Sequence, residues 1–237
     1  FTKEIEQALL NGEVDLAVHS HKDLETTQPA GLHIAAVSYR EDASELLLMR
    51  KSAFDSNEPW NLKKNAIIGT SSARRKAQIL AQRPDLEIKE LRGNVPTRID
   101  KLRQGQYDAI LLARAGVLRL ALDLSDLETV VLDPTSFIPA PAQGVLGLQT
   151  RVDDHVSTEI LQKLHHADVA KRIGLERSVL RQMDGGCQLP LGVYCTGNQV
   201  HVSFSSSSTS AATNSVYDYV DGNEMQLAQH IVQDLKK

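Results

Sequence analysis

The chain has 237 residues, 41% of them hydrophobic and 24% charged, with a formal net charge of −4, an ordinary globular composition with room for two domains or three small ones. No apolar run approaches the roughly 20 residues needed to cross a bilayer and no secretory signal pattern is present, so no membrane partner is expected. The charge is uneven: residues 61–120 hold 13 Lys and Arg against 5 Asp and Glu, but Tyr107 is the only aromatic there, so stacking platforms for nucleic acid are lacking and small polyanions fit the block better.

In chain order, "FTKEIEQALLNG" opens without Met and already reads as an amphipathic helix, with Phe1, Ile5, Ala8 and Leu9 on one face. That beginning leads us to expect further sequence upstream of Phe1. "VDLAV" (14–18), "LHIAAV" (32–37), "ELLLM" (45–49), "AIIGT" (66–70), "LEIKEL" (86–91) and "DAILLA" (108–113) predict buried strands. "SSARRKAQILAQ" and "VPTRIDKLRQG" between them predict helices, the second ended by Gly105. This alternation argues a mainly parallel α/β sheet with crossover helices. "DPTSFIPAPAQG" (133–144), with three prolines, reads as a segment crossing between lobes. "STEILQKLHH" and "ADVAKRIGLERSVLRQM" are helical patterns. The tail offers strands in "QVHVSFS" and "SVYDYV" and a final helix "NEMQLAQHIVQDLKK", a separate small α+β unit. The Ser-rich run 203–210 is expected to be a surface hairpin loop.

Four constellations bear chemistry. In "AVHSHKDLE", Ser20, Lys22 and Asp23 follow a strand, where open α/β sheets bind ligands; a solvated loop is the plain alternative. Lys22 and Asp23, as neighbours, are expected to point different ways. In "GTSSARRKAQ", Thr70, Ser71 and Ser72 bring hydroxyls and an N-cap, and Arg74 and Arg75 follow in the first turn. Cations there oppose the macrodipole, so an anion is expected to compensate them. The alternative is two exposed arginines pairing with local acids such as Asp85. "LRGNVPTRIDKL" repeats the device with Arg92 and Arg98 around Gly93-Asn94 and Pro96. Finally, "GGCQLPLG" sets Cys187 in a glycine- and proline-marked loop, as buried filler or as an exposed nucleophile or tether. Cys195, in "GVYCTG", reads as core. Two cysteines are too few for a disulfide framework and point to a reducing compartment. No metal site is expected, since no histidine lies between Cys187 and Cys195, and His19/His21 and His165/His166 lack zinc-like partners.

Taken in order, "AVHSHKDLE", "YREDASE", "IIGTSSARRKAQI", "RPDLEIKELRGNVPTRIDKL", "YDAILLARAGVLRL", "IPAPAQGVLGLQTR" and "GGCQLPLG" resemble the porphobilinogen deaminase (hydroxymethylbilane synthase) family across nearly all of residues 1–200. The resemblance implies two periplasmic-binding-protein-like α/β lobes with chain crossovers and a small C-terminal α+β domain. Residues 1–40 with 139–165 would form the first, 41–138 the second and 166–237 the third. It implies a monomeric cytoplasmic transferase of porphyrin and heme biosynthesis that joins four porphobilinogens head to tail with loss of ammonia, then releases hydroxymethylbilane with water. Cys187 would carry a dipyrromethane cofactor through a thioether, and Asp23 would be the catalytic aspartate. Ser20, Lys22, Thr70, Ser72, Arg74, Arg75, Arg92 and Arg98 would bind carboxylate side chains, with Gln143 near the cofactor. The family also carries, ahead of the position of Phe1, a first strand with an active-site Arg and Ser and a loop bearing lysines. The first lobe is therefore expected to be N-terminally incomplete, and a chain lacking that segment to be inactive. His21, Leu24-Glu25, Pro96 and "IPAPAQG" depart from the family's usual residues. The same architecture would also serve a non-catalytic receptor for small anions.

Overall fold

The computed structural model describes residues 2–184, 186 and 188–237. Helix α1 (Thr2–Leu10) precedes strands β1 (Ala17–Ser20), β2 (Leu32–Val37) and β3 (Glu45–Arg50). Next come β4 (Ile67–Gly69), α2 (Ala73–Gln82), β5 (Glu87–Lys89), α3 (Val95–Arg103), β6 (Ala109–Ala113), α4 (Arg114–Leu120) and β7 (Leu127–Leu132). After the crossing segment follow β8 (Leu146–Arg151), α5 (His155–Gln162) and α6 (Ala167–Gln182). Strands β9 (Leu191–Cys195), β10 (Gln199–Phe204) and β11 (Thr213–Asp218) and helix α7 (Glu224–Leu235) complete the described chain.

These strands form three sheets, ordered β1-β8-β2, β5-β4-β6-β3-β7 and β11-β10-β9. The expectation of a mainly parallel sheet needs correction. Only β4 runs parallel to its neighbours β5 and β6, whereas β3 is antiparallel to β6 and β7, and β8 to β1 and β2. The β4-α2-β5-α3-β6 stretch has the helical crossovers that enforce parallel pairing. Strand β3 is entered and left through segments without an α-helix, so nothing imposes that direction on it. Strands β7 and β8 are additions to the sequence reading. β7 alternates burial as an edge strand does, and β8 lies between two others.

The apolar run of β3 is buried on both faces of its sheet, which is why it shows no alternation. Leu47 and Met49 pack with Ile68, Leu111 and Phe137 on one side, and Leu46 and Leu48 with Ile99, Leu102 and Leu112 on the other. In the third sheet, Val193, Cys195, Val200 and Val202 meet Leu175 and Val179 of α6 and Ile231 of α7. Cys195 is core, as expected, and burial pushes its thiol up to about 12, with the charge of Glu176 adding to the effect. Ser203 belongs to β10 and is buried, so the exposed part of the Ser-rich run begins later than the sequence suggested.

One ion pair ties the segment after β2 and the crossing segment before β8 to the third sheet and α6. Arg40, between β2 and β3, donates from Nη1 and Nη2 to Glu176 of α6 at 2.6 and 3.2 Å, and from Nε to the Gln143 carbonyl at 3.0 Å. Glu176 also accepts from the Ala142 and Cys195 amides, at 2.7 and 2.8 Å. The guanidinium lies 4.8 Å from the centre of the Tyr194 ring. Arg40→Met would leave a fully buried carboxylate without its cation. It is expected to lower unfolding free energy by about 3–5 kcal/mol, read from denaturant midpoints.

Candidate active site

A cleft of about 650 Å³ is lined from all three sheets. The first contributes Ser20, Lys22 and Asp23. Strand β1 ends at Ser20 and the chain turns through a single 3-10 turn, His21–Asp23, pinned by the His21 amide donating to the Val145 carbonyl at 2.9 Å. Asp23 is exposed in the cleft, while Lys22 is half-buried and donates from Nζ to Gln143 Oε1 at 3.0 Å. Burial of that ammonium, aided by the charge of Arg75, lowers it to about 8 against the opposing pull of Glu45 and Asp23. Lys22 and Asp23 both line the cleft, the Lys22 ammonium directed to the buried Gln143 and Asp23 exposed.

The second sheet contributes the two arginine turns. Ser72 caps α2 by accepting from the Arg75 amide at 3.4 Å, and Thr70 Oγ1 accepts from the Ser72 amide at 3.3 Å. Arg74 and Arg75 follow, and both line the cleft while being only 5% and 6% exposed. The compensating anion is internal. Arg74 Nη2 donates to Glu45 Oε1 at 2.6 Å and Arg75 Nη2 to Glu45 Oε2 at 2.7 Å. Their other Nη atoms donate to the Ile138 and Leu111 carbonyls, at 2.8 and 3.0 Å. Burial pushes the Glu45 carboxyl up, but the charges of Arg75 and Arg74 outweigh it and hold it down at about 2. Asp85 serves Arg83 instead, at 2.7 and 2.8 Å, so the exposed-arginine alternative fails. One donor is left over: Arg75 Nε is buried with no hydrogen-bond partner among the described residues.

In the next unit Asn94 caps α3, accepting from the Thr97 amide at 3.0 Å, with Pro96 in the first turn. Arg98 lines the cleft and donates from Nε to the Gly93 carbonyl at 2.6 Å. Its pKa falls through burial and the charge of Arg75, against the pull of Asp23.

Not every residue expected at the site reaches it. Arg92 is exposed and does not line the cleft. Thr70 is buried, its hydroxyl engaged with Ser72. Gln143 lies fully buried behind Lys22, donating to the Ala43 carbonyl at 2.8 Å. Cys187 lies outside the described residues, although Gly186 and Gln188 line the cleft. Ser71 and Asn94, placed by the sequence in the two arginine turns, also line the cleft, whereas Arg119 in the lining and Glu45 behind it were missed. Arg119 projects from α4 and donates from Nη2 to the Gly144 carbonyl at 2.8 Å. Its only sequence signal was the local charge excess. For Glu45, the signal was a carboxylate opening an otherwise apolar strand.

The described cleft gathers Lys22, Arg74, Arg75, Arg98 and Arg119 against one lining carboxylate, Asp23, with Glu45 neutralising part of the charge from behind. Chemically this suits a ligand with several carboxylates and a reacting centre that becomes positive. Fold and cleft together define a lobed α/β protein with a cationic, polyanion-accepting cleft. The "Porphobilinogen deaminase, dipyromethane cofactor binding domain" family model matches residues 1–159, and the "Porphobilinogen deaminase, C-terminal domain" model residues 170–235. The chain belongs to the porphobilinogen deaminase family. It is 46% identical over 196 residues to the porphobilinogen deaminase of Trichlorobacter lovleyi, covering 83% of this chain and 61% of that one. To the Oceanobacillus iheyensis and Thermus thermophilus proteins of the same name it is 45% and 46% identical, over 84% and 81% of this chain and 64% and 62% of theirs. The chain therefore spans less than two thirds of the length of these relatives. Among solved structures, the BvgS periplasmic VFT2 domain of Bordetella pertussis matches with TM-score 0.43 and 15% identity, over 74% of this chain and 72% of that one.

Proposed function

We propose that this chain carries the cleft of a porphobilinogen deaminase, in which four porphobilinogens are joined head to tail with loss of ammonia and hydroxymethylbilane is released by water. The observation that carries the reading is the meeting of Asp23 with Lys22, Arg74, Arg75, Arg98 and Arg119 around one cavity. Every pyrrole unit brings acetate and propionate groups, so the lengthening chain is a polyanion that needs such donors. Loss of ammonia leaves an electron-poor azafulvene, and coupling places positive charge on pyrrole nitrogen. The Asp23 carboxylate stabilises that charge and takes up and returns protons. The arginine forks and Ser72 hold carboxylates in place, and Lys22 adds a compact charge set by Gln143.

The donor set suits the family's dipyrromethane, and the buried, unpartnered Arg75 Nε is a donor waiting for a carboxylate oxygen. When bound through a thioether to Cys187, that group supplies the primer pyrrole of the growing chain. Ser72, Arg74 and Arg75 are the residues we assign to its carboxylates, together with Ser20 and Lys22. Thr70 and Gln143 support them from behind, and Arg98 serves incoming substrate. Arg92, exposed outside the described cleft, keeps only a substrate-approach role. We take residues 1–40 with 139–165, 41–138 and 166–237 as three domains of a monomeric cytoplasmic enzyme with no nucleic-acid partner. Among the described residues no helix is long and apolar enough to cross a membrane.

The rival reading is a non-catalytic anion receptor with a structural Cys187. Intact mass separates the two: the full-length protein expressed with porphobilinogen available is expected to carry an adduct of two porphobilinogen units, absent from Cys187→Ala. An unmodified wild-type mass would count heavily against the enzyme.

A further inference from the structure

Adjacent residues of α6 reach in different directions. Glu176 gathers Arg40, Ala142 and Cys195, as described above. Arg177 turns to the loop after β1. Its Nη1 donates to the His21 carbonyl at 3.0 Å, and its Nη2 to the Leu24 and Glu25 carbonyls at 3.1 and 2.6 Å. Those carbonyls belong to, or directly follow, the 3-10 turn that presents Lys22 and Asp23. A single turn of this kind is held by little of its own, here the Leu24 amide donating to the His21 carbonyl at 3.3 Å, and is marginal without outside support. The guanidinium supplies that support: one planar, charged fork adds a second bond to the His21 carbonyl and binds the Leu24 and Glu25 carbonyls just beyond it. From below, the His21 ring is buried close to Gly147, where an added methyl would meet it at 3.3 Å. The turn is thus packed on one side and stapled on another, and the staple comes from the helix that runs on toward the cleft-lining residues Gly186 and Gln188.

We propose that Arg177 is a positioning residue for the reaction: by holding the carbonyls of residues 21, 24 and 25 it fixes the turn that presents Asp23 to the cleft. The inference rests on the role given to Asp23 above. It predicts a kinetic signature, because misplacing the acid–base group leaves the carboxylate-binding arginines in position. In the holo-protein, Arg177→Met is expected to lower kcat for porphobilinogen on the order of ten- to a hundredfold, with KM within about twofold. Amide exchange across residues 21–25 is expected to quicken by about tenfold or more. Arg177→Lys keeps the charge without the fork, is expected to fold normally, and should fall between wild type and Arg177→Met in both measures. Wild-type kcat in the two variants would overturn the proposal, as would a loss carried by KM alone or unchanged exchange across 21–25. Should the full-length wild-type protein turn over no porphobilinogen, the functional reading falls, and exchange across 21–25 still decides whether Arg177 holds the turn.

Discussion

Asp23→Asn is expected to cut porphobilinogen turnover by about 10²- to 10⁴-fold while leaving binding of the substrate nearly unchanged. The substitution keeps size and shape and removes only the charge. It leaves Lys22, Arg74, Arg75, Arg98 and Arg119, which form the cationic part of the cleft lining, in place. Binding energy from the substrate carboxylates therefore survives, and what is lost is stabilisation of positive charge in the transition state. Steady-state kinetics with calorimetric binding separates the two effects. Turnover within a fewfold of wild type would remove Asp23 from the chemistry.

A large effect on stability is expected at Glu45, where Glu45→Gln should cost about 3–5 kcal/mol near neutral pH, measured by denaturant unfolding. The carboxylate is fully buried and accepts from two guanidiniums that are themselves nearly buried. An amide of the same shape leaves both cations uncompensated. The pH dependence follows from the direction of the shift. Glu45 is held below the ordinary 4.5, at about 2, so its stabilising contribution is complete above the unfolded value and is lost as pH falls from about 4.5 toward 2. The gap between wild type and Glu45→Gln should therefore be widest at neutral pH and shrink across that acid window. A gap that stays constant down to pH 2 would mean that the pairing contributes nothing.

Much of this site could be read from residues alone, and the reason is local. The turns at Ser72 and Asn94 announce themselves through capping residues directly before their helices, and Arg74, Arg75 and Arg98 sit within a turn of those caps. Asp23 was legible for the same reason, at the polar end of an apolar strand. What escaped was non-local. Glu45 meets its arginines across 29 and 30 residues, and no spacing rule links them. It changes the meaning of the arginine pair, since part of the charge that the sequence assigned to a ligand is already neutralised. Arg119 sits in the apolar-rich α4 without any turn signal, and its partner Gly144 lies 25 residues away. The strand list failed similarly at β8, whose place between β1 and β2 depends on a return from the second lobe.

That return has a consequence for how the molecule comes into being on the ribosome. Among the described residues, β1 and β2 do not pair with each other, and each pairs with β8. Their common partner is synthesised more than a hundred residues after β2 has emerged. Among the described residues, neither β1 nor β2 has another strand beside it before β8 is made, and open strand edges are sites for mispairing. The five-stranded sheet draws all its strands from residues 45–132 and can close in the meantime. The β1-β8-β2 sheet is therefore completed only after residues 45–132 have been made, and the loop bearing Asp23 lies between two of its strands.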